Sequence, residues 1–329
     1  MRKKLVALFL VATMALSMTA CGSTTKSKTV DDAVNQLSSF EVNQADSEMV
    51  FAVKQSTGDT NFSVKMVAVN MGDNTSALEI QYKMDGGTYA PVTTLFLTDD
   101  AVYINATQAM DFITTLEPTY SMLKAYVTLS SDYVMITKTE LMQYISALGV
   151  DTSELDLSTA KTASIDSKKV TEIIFGIIKE TSEKSGTSFF TLKDDVLNMV
   201  ITPENSDKIL TALANIDITT YIDKLGDTSI ASKKTEYAQV FKESIEEFQS
   251  TIKSEEIKPD ITATAKTEGE SGNKKDIIVL NAKLTNSDES INGVMNITFS
   301  EKATASYTLP TKPATMTEVM SILTKLGIY

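Results

Sequence analysis

The chain has 329 residues, with 30 Lys and Arg against 43 Asp and Glu, a formal net charge of −13, one Cys, no His and no Trp. Without His there is no Ser-His-Asp or Cys-His nucleophile, no imidazole base and no ordinary catalytic zinc site, and a lone Cys allows neither an intrachain disulfide nor a thiolate cluster. The acidic balance also argues against nucleic acid as a partner, because a phosphate backbone is met by a basic stripe.

The first twenty residues read as an export signal. Arg2, Lys3 and Lys4 form a basic start, and Leu5 to Leu16 is a mostly apolar run without charge. That run is shorter than the ~20 residues of a spanning helix. It closes on Met18-Thr19-Ala20-Cys21, which resembles the bacterial lipobox. The resemblance implies cleavage before Cys21, diacylation of that cysteine (palmitate-type chains), and a lipoprotein anchored on the extracytoplasmic face of the cell membrane. Two acyl chains are what stable anchoring requires. Residues 21–29 are then the lipidated Cys21 and a polar tether, Gly22 to Thr29, which spans ~15 Å as a coil and about 27 Å when stretched. Cleavage removes the only Arg and leaves a more acidic body, with no electrostatic reason to lie on an anionic leaflet.

The body begins with strands. Glu48 to Lys54, Phe62 to Met71 and Leu78 to Met84 are separated by Ser56-Thr57-Gly58-Asp59 and Gly72-Asp73-Asn74, both hairpin-type turn clusters. In the third strand Leu78, Ile80, Tyr82 and Met84 alternate with Glu79, Gln81 and Lys83, a half-buried period of two. A weak internal repeat follows in Thr94 to Leu116, Ala125 to Leu148 and Phe189 to Leu213. Each copy is expected to hold a strand, a turn (Asp99-Asp100, Ser131-Asp132, Asp194-Asp195), a second strand and a capped helix. The caps are Asn105 or Thr107, Thr137 with Glu140 in a capping box, and Thr202 before Pro203. A common hairpin-then-helix unit explains this pattern as well as duplication does.

Two longer helices are predicted over Ser167 to Lys184 and Ser232 to Ser254. The second is an ordinary amphipathic helix with Phe241, Ile245, Phe248 and Ile252 on one face. The first is apolar over a wide arc, through Val170, Ile173, Ile174, Phe175, Ile177 and Ile178, and must be covered on more than one side. The chain closes on a further meander: Asp260 to Thr267, Asp276 to Leu284, Gly293 to Phe299 and Thr304 to Leu309.

A lipobox, a polar tether, two meanders and helices between them resemble the LolA-like lipoprotein-carrier superfamily over about Val30 to Tyr329. The resemblance is one of organisation, without a short motif. It implies an α+β fold: a large curved antiparallel sheet, a half-open barrel, with helices on its concave face. Residues 30–329 would be a single such domain with helical insertions, although the length also allows two lobes. The resemblance further implies a non-enzymatic carrier or sensor that holds a hydrophobic or acylated ligand between sheet and helices.

The other reading is a cell-envelope interaction protein with a solid core and no small ligand. An apolar cavity above ~300 Å³ would favour the binding module. A filled interior with an exposed apolar patch would favour the interaction protein. The candidate lining is Val170, Ile173, Ile174, Ile177 and Ile178 on the helix, facing Leu78, Ile80, Tyr82 and Met84 on the strand. No cofactor or metal is expected: the acidic pairs are sequence neighbours whose side chains diverge, and no calcium or phosphate-binding loop occurs.

Overall fold

The computed structural model describes residues 29–37, 40–55, 58–147, 167–225, 231–287 and 289–325. The segment read above as an export signal, and Cys21, lie outside them. The chain is α+β, with a large open antiparallel sheet of twelve strands. In sequence order these are β1 Gln44–Gln55, β2 Gly58–Gly72, β3 Thr75–Met84, β4 Ala90–Leu97, β5 Ala101–Asn105, β6 Tyr133–Thr137, β7 Phe190–Lys193, β8 Val196–Ile201, β9 Lys258–Glu268, β10 Lys275–Thr285, β11 Ser290–Ser300 and β12 Ala314–Thr315. Their order in the sheet is β12-β6-β5-β4-β3-β2-β1-β11-β10-β9-β8-β7, and the short edge strand β12 runs parallel to β6. The chain divides into two compact units. One is Met1–Val42, Ser47–Ser63 and Ile165–Lys302; the other is Asn43–Asp46, Val64–Ser164 and Ala303–Tyr329.

In the first unit, β9, β10 and β11 keep a period of two. Ile261, Ala263 and Ala265 of β9, Ile278, Leu280, Ala282 and Leu284 of β10, and Ile291, Gly293, Met295 and Ile297 of β11 are buried, and the residues between them are not. Register puts small against large: Ala263 faces Leu280, which faces Met295, and Ala265 faces Ile278, which faces Ile297. The link from β9 to β10 needs Gly269, whose φ of +91° and closeness to the Asn273 carbonyl leave no place for a Cβ.

The helices of this unit are α1 Val30–Gln36, α5 Ser167–Ser185, α6 Pro203–Ala214, α7 Thr219–Leu225 and α8 Lys234–Ser254. A capping box between Thr29 and Asp32 opens α1, which buries Ala33, and Leu37 just beyond it. α5 ends at Gly186, in the left-handed region at φ +63°. Thr202, Pro203 and Asn205 start α6, with the Thr202 N–H donating to Asn205 Oδ1 at 2.8 Å.

The second unit holds β3 to β6 and β12, with α2 Ala106–Leu116, a 3₁₀ turn Pro118–Tyr120, α3 Ser121–Tyr126, α4 Lys138–Ala147 and α9 Met316–Lys325. Asp73 and Asn74 both have positive φ and make the tight β2–β3 hairpin. Asn105, not Thr107, caps α2, through its Oδ1 and the Gln108 N–H at 3.0 Å. Thr137 and Glu140 form the expected box ahead of α4, at 2.8 and 3.2 Å.

Three expectations are corrected here. The strand predicted at the head of the second repeat copy is absent: Ser121–Tyr126 is helical and the chain from there to β6 is irregular, so the repeat is incomplete. Thr304 to Leu309 keeps the alternation, with Ala305, Tyr307 and Leu309 half-buried between exposed neighbours, but makes no ladder. Its Thr304 and Ala305 N–H groups donate instead to Gln44 Oε1 at 2.7 and 2.9 Å, a side chain taking the place of a partner strand.

The third correction concerns β3, where the expected one-sided burial does not appear. Leu78, Ile80 and Tyr82 are half-buried, but so are Glu79, Gln81 and Lys83, and the fully buried residue is Ala77, opposite Phe96. Both faces are covered: Tyr82 meets Phe112 of α2 edge-on at 4.7 Å, and Glu79 accepts from Tyr307 Oη at 2.7 Å.

Candidate functional site

The main apolar cavity lies within the first unit and measures about 230 Å³. Three helices each turn one stripe towards it. α5 contributes Ile174, Ile177, Ile178 and Thr181; α6 contributes Ser206, Ile209, Leu210 and Leu213; α8 contributes Phe241, Ile245, Phe248 and Ile252. The first two stripes have i, i+3, i+4, i+7 spacing and the third i, i+4, i+7, i+11, as one face of a helix demands. Strand residues close the remaining side at period two: Met199 and Ile201 of β8, Pro259 and Ile261 of β9, with Phe189 ahead of β7.

Among the described residues only two polar side chains reach this wall, and each hydroxyl is spent on a backbone carbonyl. Thr181 Oγ1 donates to the Ile177 carbonyl at 2.7 Å, and Ser206 Oγ to the Pro203 carbonyl at 3.3 Å. The space is therefore lined by hydrocarbon. No hydrogen bond or charge is offered to an occupant, so only an apolar group gains by entering.

α8 is held over the cavity by polar ties to its neighbouring helices. Gln249 Nε2 donates to Asp207 Oδ1 at 2.6 Å and to Thr211 Oγ1 at 2.9 Å. Lys253 Nζ lies 2.6 Å from Asp207 Oδ1, and Lys234 Nζ 2.8 Å from Asp223 Oδ2 of α7. The Lys253 ammonium and the Gln249 amide together hold the Asp207 carboxyl below its ordinary range.

Of the residues singled out in sequence, Ile174, Ile177 and Ile178 line the cavity. Ile173 is buried elsewhere on the helix, and the Val170 side chain lies outside the described ones. The wide apolar arc of α5 is shared among neighbours. Phe175 meets Phe190 of β7 with ring centroids 5.7 Å apart, and Gly176 lets the Tyr221 ring of α7 approach.

Leu78, Ile80, Tyr82 and Met84 are not the opposing wall: they belong to the second unit, and Met84 is exposed. The strands that share the cavity wall with α5 are β8 and β9. The stripes of α6 and α8 were visible in sequence as apolar faces, but not as walls of a shared space.

A second opening, a cleft of about 320 Å³, adjoins the cavity between α6, α8 and the start of β9, and is lined by charged as well as apolar residues. The second unit carries exposed apolar side chains on and after α2: Ile113, Leu116, Tyr120, Met122 and Tyr126. Among the described residues no acidic or Cys cluster could hold a metal ion, and no helix is long and apolar enough to cross a membrane. Comparison with known protein families, with curated proteins and with solved structures finds no match.

Proposed function

We propose that this protein is a non-enzymatic lipoprotein, anchored through a diacylated Cys21 at the extracytoplasmic face of a bacterial membrane, that holds a single apolar chain as carrier or sensor. The observation that carries the binding reading is the hydrocarbon lining of a cavity of about 230 Å³. That volume is smaller than the ~300 Å³ set above for a binding module and so supports a single chain only. The exposed apolar side chains on and after α2 are what favours the interaction-protein reading. The cavity wall offers water no hydrogen bond, so an apolar occupant recovers packing contacts there that solvent cannot supply.

Size limits the occupant. The cavity exceeds the ~150 Å³ that accepts benzene and falls short of the ~300 Å³ at which pockets for drug-sized ligands begin. One short or partly inserted acyl chain fits that range; a whole diacyl lipid does not. A LolA-like half-open barrel is the finer architecture we propose. It is supported by the open antiparallel sheet and by helices packed on the buried face of the first unit's strands.

The test places bulk in the space, with Ile174→Trp and Ile177→Trp in a chain carrying Cys21→Ser and a replaced signal. In a ligand cavity the new ring displaces bound lipid, seen by mass spectrometry of organic extracts, and the melting temperature barely moves. Destabilisation by about 1–3 kcal/mol, with no lipid in the parent, means a solid core and ends the binding reading.

A further inference from the structure

The cleft beside the cavity supplies the charge that the cavity lacks. Ser206, Leu210, Ile252 and Pro259 line both spaces, so no more than one layer of side chains separates them. Ser206 is the smallest of the four. Beyond it the walls carry Asp207, Gln249, Lys253, Glu256 and Lys258.

These groups are not equally engaged. Asp207 already accepts from Lys253 and Gln249. A lysine ammonium has three N–H donors, so Lys253 keeps two after serving Asp207. Lys258, the exposed first residue of β9, pairs with no described acid and keeps all three. Against these donors stands one further acidic group, Glu256, on the residue whose φ of +51° turns the chain from α8 towards β9. The cleft thus offers surplus donors directly beside a space that accepts only hydrocarbon.

We propose that the ligand is a single-chain amphiphile with an anionic headgroup: its chain lies in the cavity past Ser206, and its headgroup oxygens sit in the cleft on Lys258 and Lys253. This rests on the apolar-chain reading above and adds the chemistry of the exposed end. Lys258 supplies the free charge, Lys253 is shared with Asp207, and Glu256 opposes. Because the cleft is open to water, the ionic contribution is modest and screened by salt.

The experiment compares decanoate with decanol, by calorimetry at pH 8 and low ionic strength, on the full mature chain carrying Cys21→Ser. Decanoate should bind more tightly than decanol. Lys258→Gln should weaken decanoate by roughly threefold to fivefold and leave decanol unchanged; Glu256→Gln should tighten decanoate by a similar factor. Added salt should erase both differences. Equal affinities that neither variant alters would overturn the headgroup assignment while the cavity reading stands. Tighter binding of decylamine than of decanoate would overturn its sign. Binding of none of the three, with Ile177→Trp behaving as overpacked, removes the cavity reading and the headgroup with it.

Discussion

Asp276 is a carboxyl with no access to solvent, in the first unit, at the end of β10 opposite Thr267. Its Oδ2 has no hydrogen-bond partner, while Oδ1 meets the Thr267 hydroxyl. That hydroxyl also lies 3.4 Å from the Gln36 carbonyl at the end of α1, and its one proton serves only one acceptor. A protonated Asp276 donating to Thr267, which in turn donates to Gln36, satisfies both contacts. Burial raises the carboxyl from 3.8 to about 7, against opposing pulls from Thr267 and Lys274.

The native state therefore holds a proton over a pH range where the unfolded chain has lost it. The Asp276 contribution to stability is full below about pH 4 and falls as the pH rises towards 7, by up to ~4 kcal/mol. Among the described residues the other displaced carboxyls, Glu180, Glu204, Asp207 and Glu318, are lowered and act at more acidic pH, and the chain has no His. Asp276 is thus left to dominate between pH 5 and 7.5. Asp276→Asn keeps the shape of the neutral acid and should flatten that slope, leaving the variant about 2–4 kcal/mol more stable than the parent at pH 8. Urea midpoints followed by circular dichroism at half-unit pH steps read this directly. An unchanged slope in the variant, or a variant less stable at pH 8, refutes the reasoning.

Three other outcomes are expected. Cys21→Ala should abolish incorporation of a fatty-acid analogue and leave the precursor uncleaved at this site or release the protein; equal labelling of both forms would remove the anchor. Gly176→Ala should destabilise by about 1–3 kcal/mol in thermal melts, despite alanine's better helix propensity, because its Cβ would lie 2.7 Å from the Tyr221 ring, which Glu180 holds by a 2.7 Å hydrogen bond. Stripping bound lipid should lower the melting temperature of the first unit by roughly 5–10 °C, the equivalent of about 2.7 kcal/mol for a ligand present at a hundredfold its dissociation constant, and decanoate should restore it.

The strands were legible wherever a single face is buried. β10 and β11 appear in the sequence within three residues of their ends because Leu280, Ala282 and Leu284 alternate with Asn281 and Lys283, and Met295 and Ile297 with Asn296 and Thr298. β3 alternates just as cleanly, yet its polar positions are covered too, since Tyr307 reaches Glu79 from a distant part of the chain. Period alone cannot report such long-range cover. Thr304 to Leu309 shows the complementary failure, in which the alternation is right but the hydrogen bonds go to the Gln44 side chain. The short helices α1, α3 and α7 have too few turns to display a stripe.

The site was half legible for a different reason. The isoleucine stripe of α5 looks the same whether it faces side chains or a void, and the structure contains both cases along one strand. Over Ala263 and Ala265 of β9, Phe175 and Phe190 pack across the small residues and leave a gap of only about 10 Å³. At the other end of the same strand, Pro259 and Ile261 share a wall with Ile174 and Ile177 of α5 and with Phe189, Phe241 and Phe248, and there the gap opens to about 230 Å³. The change from filled to hollow takes place within seven residues of β9 (Pro259 to Ala265), along one buried face, so hydrophobic pattern does not report it. Ile177→Phe should narrow the space, seen as weaker decanoate binding with little change in the melting temperature; unchanged binding would refute this.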